Sequence, residues 1–543
     1  MSEPSHDGWI LAIDLGNGGP KIAAVQRDGE IVATAQQPVA VQIELDGTAT
    51  QDAREWVLAL RRAVHELIQD DDVSVADLAA IAITAQWGST VPVAADGEPA
   101  GPVLLWADTR ARKHMGSVIS GPLSIMGYAP HKVLPFIRKT GGAPGLNGAD
   151  PTGHSLLLQN ELSDVGARTV VQLEPADYLA FKLTGRAQAT PASMSLSWIT
   201  DNRPGKPAAY SADLVRRAQR EPGKLPTLVP TGAVQGPLTP TAAAYFGLPA
   251  GVPVMSGMPD LHSAIVGSGA IEPFQTHLAL STTAWLSARV PFQKTDVFHS
   301  IGTLPGLDAT HPLVANNIET GGAALQWLRE QVIAPHDGLA GGGSGIGADG
   351  AAPAGAIPTF EDMLALAEAA PVGSEGVIFT PWLAGERSPV DDKDLRAAWL
   401  NLSLRSNRAI MIRSVLEGVA LNIRWLLGPY QKFLGRDVTT IRILGGGAQS
   451  DLWCSILAST LGVTVERVAN PRDAQLRGIA LWARVCLGEI SLSAAAALVP
   501  VDRVFAPVPA EQEIYDRNFS QYRKVYGKLK GVYRALNAHN RGG

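Results

Sequence analysis

Apolar residues along this chain gather into short continuous runs and helical stripes that follow one another, the pattern of an α/β protein with buried strands. The first such runs, 10–13 (Ile-Leu-Ala-Ile) and 22–25 (Ile-Ala-Ala-Val), flank a turn bearing Gly16, Asn17, Gly18 and Gly19, which predicts a hairpin opening a buried sheet. Residues 30–35 read as a third strand. Residues 52–69 read as a helix with Trp56, Val57, Leu60, Val64 and Leu67 on one face. A buried strand over 78–84 delivers Gln86, Trp87 and Gly88 to its carboxyl end, the edge where open α/β sheets collect ligands. Residues 91–95 and 103–106 predict another hairpin about Asp96-Gly97, leading to Trp106, Asp108 and Arg110. The Gly- and Pro-rich residues 141–153 predict a surface excursion.

Further on, 174–183 reads as a helix carrying Asp177 and Tyr178 and stopped at Gly185. A strand over 252–256 runs into Gly257-Met258-Pro259-Asp260 and a helix start. Residues 277–290 form a second strand-turn-strand unit, with Ser281, Thr282 and Thr283 in its turn. A helix follows Gly321 and Gly322, and 334–357 reads as a mobile loop. Residues 405–430 read as a long amphipathic helix, and a strand over 439–444 ends in Gly445, Gly446 and Gly447 ahead of a helix from about residue 452. Strand 463–468, helix 473–487 and a tail helix over 512–538 complete the chain. The tail places Tyr515, Phe519, Tyr522, Tyr526, Leu529 and Tyr533 on one face, as a helix docked on the second half would. Two hairpins of similar shape, each opening one half of the chain, suggest a duplicated α/β domain with a nucleotide between the copies.

Length makes two domains the default, since 543 residues exceed one core. A hydrophobic content of 46% with 18% charged residues describes a globular protein, and the net charge of −6 argues against a nucleic-acid partner. No apolar run approaches the roughly 20 residues that span a bilayer. The polar start of the chain lacks the regions of a signal peptide, so a cytoplasmic protein is expected. Cys454 and Cys486 read as buried thiols.

The candidate chemistry lies at the turns. Backbone amides around Gly16, Gly18 and Gly19 suit an anion, Asp14 suits a magnesium ion held through water, and Lys21 adds positive charge beside them. An ordinary Asn-Gly hairpin with a surface acid is the plainer reading of that stretch alone. Asp260 is placed as a general base in a cleft or as a helix cap. Trp87 and Trp106 fit either core packing or the apolar faces of a sugar. Gly445, Gly446 and Gly447 let a flat ligand approach the backbone, without the spacing of a dinucleotide fingerprint or a Walker lysine.

Taken together, these stretches resemble the FGGY carbohydrate kinases, the xylulokinase branch in particular. The resemblance rests on eight motifs in register over nearly the whole chain: Asp-Leu-Gly at 14–16, Trp-Ala-Asp-Thr-Arg at 106–110, Asp-Tyr-Leu at 177–179, Gly-Met-Pro-Asp at 257–260, Ser-Thr-Thr at 281–283, Gly-Glu-Arg-Ser-Pro at 385–389, Leu-Glu-Gly-Val-Ala at 416–420 and Gly-Gly-Gly-Ala-Gln-Ser at 445–450. It implies a two-domain, actin-like (ribonuclease H-like) ATPase fold with an interdomain cleft. The sugar-binding domain is expected over 1–257, the nucleotide-binding domain over 258–510 and the packed tail helix over 511–543. By position, the resemblance makes Asp260 the base that takes a proton from a sugar hydroxyl and Asp14 the organiser of Mg2+. Asn17, Gly18, Lys21, Ser281, Thr282, Thr283 and Gly321 would hold phosphates, and Gly445, Gly446, Gly447 and Asp451 the nucleoside. Gln86, Trp87, Trp106, Asp108 and Asp260 would line the sugar pocket. The chain departs from the family pattern at Asn17, where a Thr is usual, at Pro20, at Gly88, which follows Gln86-Trp87 where a sugar-binding His is usual, and at Ala107, where an Asn is usual. The expectation is ATP-dependent phosphorylation of a ketose such as xylulose, or of a polyol. The alternatives are a kinase-like sugar- or nucleotide-binding protein with weak or no transfer, and an actin-like or chaperone ATPase. Expected partners are the small sugar and ATP, with no nucleic acid and no membrane. A homodimer is one admissible assembly.

Overall fold

The structure, a computed structural model, describes residues 8–125, 127–333 and 358–537. The loop expected over 334–357 and the last residue of the expected tail helix lie outside them.

Two sheets carry the molecule. The first contains β1 (Trp9–Gly16), β2 (Gly19–Val25), β3 (Ile31–Gln36), β4 (Leu78–Ala85), β5 (Val234–Pro237), β6 (Pro253–Met255) and β7 (Met258–Pro259), in the order β5-β6-β4-β1-β2-β3 with β7 beside β4. The second contains β8 (Thr276–Leu280), β9 (Ala284–Ser287), β10 (Thr440–Leu444), β11 (Thr464–Val468) and β12 (Val501–Phe505), in the order β9-β8-β10-β11-β12. The two share one plan. An antiparallel hairpin flanks the opening strand on one side, two parallel strands follow on the other, and an antiparallel strand closes the edge.

The central strands β1 and β4 are almost wholly apolar because both of their faces are covered, whereas β3 at the edge has exposed Thr34 and Gln36. Along β1, Trp9, Leu11, Ile13 and Leu15 face a core shared with helices α1 (Ala53–Leu67) and α2 (Pro175–Thr184). Ile10 and Ala12 face the opposite way, with Ala23, Ala80 and Ala82, onto α3 (Asp260–Ser268) and α6 (Ala474–Cys486). That second core also holds Ala279 of β8 and Leu444 of β10, so one apolar cluster joins the two sheets. Its small residues permit close approach. A Cβ on Gly478 would lie 2.1 Å from the Ser263 carbonyl oxygen and one on Gly267 would lie 1.9 Å from that of Ala474, so the two helices cross glycine on glycine. Within the second half, α4 (Arg408–Leu434) and α5 (Asp451–Leu461) build the core of the second sheet.

The tail is a helix, α7 (Pro509–Leu536), docked as its pattern predicts: Tyr522 and Tyr533 join Trp382 and Trp425 in one buried cluster. The hairpin expected from 91–95 and 103–106 about Asp96-Gly97 forms, with antiparallel bridges at Thr90–Leu104 and Val93–Pro99 and the Ala94 N–H on the Glu98 carbonyl at 2.8 Å. Its two arms pair outward as well, Val91–Val93 to Val171–Leu173 and Val103–Leu104 to Ala49–Gln51. One expectation is corrected. The segment over 141–153 is packed and not a surface excursion. Asp150, 6% exposed, caps a helix at Pro151–Asn160, and the Thr295 hydroxyl from the second half donates to the Gly141 carbonyl at 2.7 Å. Its glycines serve close packing. Cys454 is buried and Cys486 half-buried, and both are free thiols on helices. No helix among the described residues is long and apolar enough to cross a membrane.

Candidate active site

The turn between β1 and β2 has two residues, Asn17 and Gly18, with Gly16 paired to Gly19 and Asp14 paired across to Lys21. Asp260 arrives from another direction, as the first residue of α3, and its Oδ1 accepts the Leu261 N–H at 2.7 Å. Burial pushes Asp260 up to about 6, with the Leu261 N–H opposing the rise. Burial also pushes Asp14 up to about 7, where the Asp260 charge adds to the rise and Lys21 opposes it. Two carboxylates on separate elements therefore share one electrostatic environment. Of the two readings of Asp260, the geometry disfavours the cap, because Pro259 occupies that position.

Lys21 is not free beside the turn. Its ammonium contacts the Asp473 carboxylate at the start of α6 and lies 3.4 Å from the Arg472 carbonyl, spanning the two halves. Among the described residues no cluster of three or more His, Cys, Asp or Glu could hold a metal. Two buried carboxylates with elevated pKa values are a donor set short of positive charge. Mg2+, which is commonly held by one or two carboxylates plus phosphates and water, fits such a set.

On the sugar side, Gln86 lies just past β4, its backbone N–H on the Leu15 carbonyl at 2.8 Å and its side-chain amide on Gln51 Oε1 at 3.2 Å. Its own Oε1 is buried without a partner. The Trp106 indole N–H donates to Asn17 Oδ1 at 3.1 Å, tying the expected sugar wall to the expected phosphate turn. The Trp87 indole donates to the Ser193 carbonyl at 3.1 Å and meets the His262 ring edge-on. Gly88 has φ of +79°, and a Cβ there would lie 2.9 Å from Leu196, so this backbone has no place for a longer side chain. Asp108 is corrected as a substrate contact: it is 0% exposed, and its carboxylate is held by Arg110 at 2.6 Å and by the Ala49 N–H at 3.3 Å. It supports the loop that carries Trp106.

The sequence reading misses Glu174. Its buried carboxylate accepts the N–H groups of Gly88 and Ser89 at 3.1 and 3.2 Å, holding the Trp87 loop from below. Its proximity to the Asp177-Tyr178 motif is the one local signal for it.

On the nucleotide side, Ser281, Thr282 and Thr283 form a closed turn, Ser281 N–H to Thr283 carbonyl at 2.9 Å. The Gly321 N–H bonds the Thr282 carbonyl at 2.9 Å, and a Cβ on Gly321 would lie 2.6 Å from the Thr283 carbonyl oxygen. Gly445 follows β10 with φ of +96°; a Cβ there would lie 2.5 Å from the Leu280 carbonyl oxygen and 2.8 Å from Ser281 Oγ. Gly447 packs on the Leu280 side chain, while Gly446 opens onto free space. Three segments expected to hold nucleotide thus meet at the carboxyl ends of β8 and β10. Asp451, the first residue of α5, is engaged by Arg467 at 2.5 Å and by Arg503, so its carboxylate is neutralised by protein partners.

Comparison with known proteins places this geometry. Residues 9–126 and 155–267 match the N-terminal domain of the FGGY family of carbohydrate kinases, and residues 286–487 match its C-terminal domain. The xylulose kinase of Staphylococcus epidermidis is 24% identical, over 96% of this chain and 97% of its own. The gluconokinase of Bacillus subtilis is 22% identical, over 83% of this chain and 82% of its own. Among solved structures, the gluconate kinase of Lactobacillus acidophilus superposes with a TM-score of 0.80 at 22% identity, covering 98% of this chain and 100% of that one. At such identities the structural likeness speaks for the actin-like two-domain fold and leaves the acceptor open. Family matches across most of the sequence make this chain a member of the FGGY family of carbohydrate kinases.

Proposed function

We propose that the protein transfers the γ-phosphoryl group of ATP to a hydroxyl of a small ketose, polyol or sugar acid, with Asp260 as general base. The observation that carries this reading is the burial of Asp14 and Asp260 in one place: burial raises the proton affinity of each, and the Asp260 charge adds to the rise at Asp14. In the transfer, the hydroxyl oxygen bonds to the γ-phosphorus, the bond to the ADP oxygen breaks, and the hydroxyl proton passes to the Asp260 carboxylate. A carboxylate near 6 stays ionised at neutral pH and is a better proton acceptor than one in the ordinary range. Mg2+, when bound at Asp14, would neutralise phosphate charge. The turn amides, Ser281 and Thr283 would orient the phosphates, and closure of the halves would exclude water.

Trp87 and Trp106 are half-buried with their indole N–H groups already taken by Ser193 and Asn17, and Gly88 offers no side-chain hydrogen bond. This supports an acceptor bound through its C–H faces, with xylulose and gluconate both to be tried. ADP release measured over pentuloses, hexuloses, polyols and aldonates tests the reading. One acceptor should turn over, and Asp260→Asn should lower that rate by about 10²–10⁴-fold. MgATP binding without turnover on any acceptor would favour the binding-protein alternative, and hydrolysis indifferent to sugar would favour an ATPase.

A further inference from the structure

The Gly-Glu-Arg-Ser-Pro motif has no part in the transfer as described, yet its glutamate is among the best-coordinated buried groups in the molecule. Glu386 is 1% exposed. Its Oε1 accepts the backbone N–H groups of Glu319 and Arg387, each at 2.9 Å, and its Oε2 accepts the Asn422 amide at 2.6 Å. Asn422, on α4 and fully buried, presents its Oδ1 to two donors, the Trp382 indole at 3.2 Å and the Tyr522 hydroxyl at 2.9 Å. Tyr522 belongs to α7, so a continuous line of hydrogen bonds runs from the last helix of the chain to the backbone at residue 319.

That backbone leads directly to the phosphate side. Ile318 pairs with Ala284, the first residue of β9, and Gly321 bonds Thr282 in the turn. The motif also runs alongside this strand, Ser388 N–H to Asn317 carbonyl at 3.0 Å. Every hydrogen-bond partner of the Glu386 side chain is a donor, so the site suits a carboxylate. A glutamine would set its own N–H groups against a donor. Buried charge is poor at stabilising a fold compared with apolar packing, and here it is directed at two peptide N–H groups next to the phosphate turn. Burial pushes Glu386 up to about 7 and the Glu319 charge adds to the rise, while the N–H groups of Glu319 and Arg387 and the Asn422 amide oppose it.

We propose that Glu386 is a positioning residue for the turn at Ser281, Thr282 and Thr283, set by α7 through Tyr522 and Asn422, so that nucleotide affinity depends on the terminal helix. The inference rests on the kinase reading and adds to it a route by which a distant helix tunes one substrate and not the other.

Calorimetric titration of MgATP into the full-length protein, without sugar, tests it alongside KM for each substrate. Glu386→Gln should weaken MgATP about tenfold, and Tyr522→Phe, which keeps the ring, about threefold, with the acceptor KM unchanged. The double variant should be no weaker than Glu386→Gln alone, because both act along one line. Tyr526→Phe is the control: its ring packs on Trp382 and Trp425 but lies outside the line, and it should bind as wild type. Variants with lowered melting temperature but unchanged MgATP affinity would overturn the inference and leave the network as scaffold. Wild-type protein that binds no MgATP would overturn the kinase reading itself, and this inference with it.

Discussion

The two opening hairpins have one topology and opposite chemistry. Counting back from the turn, the third paired position is Asp14 opposite Lys21 in the first hairpin and Leu278 opposite Leu286 in the second. The first turn is Asn-Gly beside charged side chains, whereas the second is Ser-Thr-Thr above an apolar ladder. One hairpin carries the titratable Asp14 and Lys21 and the other neutral hydroxyls; under the proposed reaction the first would meet a cation and the second would hold phosphate oxygens at any pH near neutral.

Among changes within the two hairpins, removing the charge of the first should have the largest effect. Asp14→Asn should lower turnover by about 10²–10³-fold. The same change should stabilise the ligand-free protein at pH 8. Because folding raises the Asp14 pKa to about 7, the ionised form opposes folding, and stability falls as pH climbs from the ordinary carboxylate range through 7. Thermal melts at pH 5 and pH 8 should show the variant gaining on wild type at both, by about 2 kcal/mol more at the higher value. The pH profile sharpens the contrast further. The acid limb of kcat/KM should break near 6, set by Asp260, and Ser281→Ala should leave that break in place. Ser281→Ala should instead raise KM for ATP by about three- to tenfold through one lost hydrogen bond. Smallest of all, Asn17→Ala should leave the Trp106 indole without its acceptor and raise the acceptor KM about twofold, read in the same ADP-release assay.

Elements and turns were legible in the sequence because their signals are local. Alternation and continuous apolar runs mark the strands, and the glycines at 16, 18 and 19 mark a turn wherever the strands go. Asp260 was legible for the same reason, standing between a strand and a helix. What a charged side chain meets is decided elsewhere in the chain. Lys21 pairs with Asp473, 452 positions away, and the Gly88 N–H finds Glu174, 86 positions away. No periodicity announces either contact. Asp108 shows the reverse error, since a motif carboxylate reads as a ligand until Arg110, two residues on, is seen to cover it.

The crossing of α3 and α6 bears on how the protein can be divided. Both helices follow position 257 in the chain, yet they cover the alanine-rich face of the first sheet, and Arg477 and Arg484 of α6 donate to the carbonyls of Gly29 and Arg27 in its β2–β3 turn. A polypeptide cut at 257 would leave its leading fragment with Ala12, Ala23, Ala80 and Ala82 bare to water. Split versions of this kinase should recover function only when both pieces are made together.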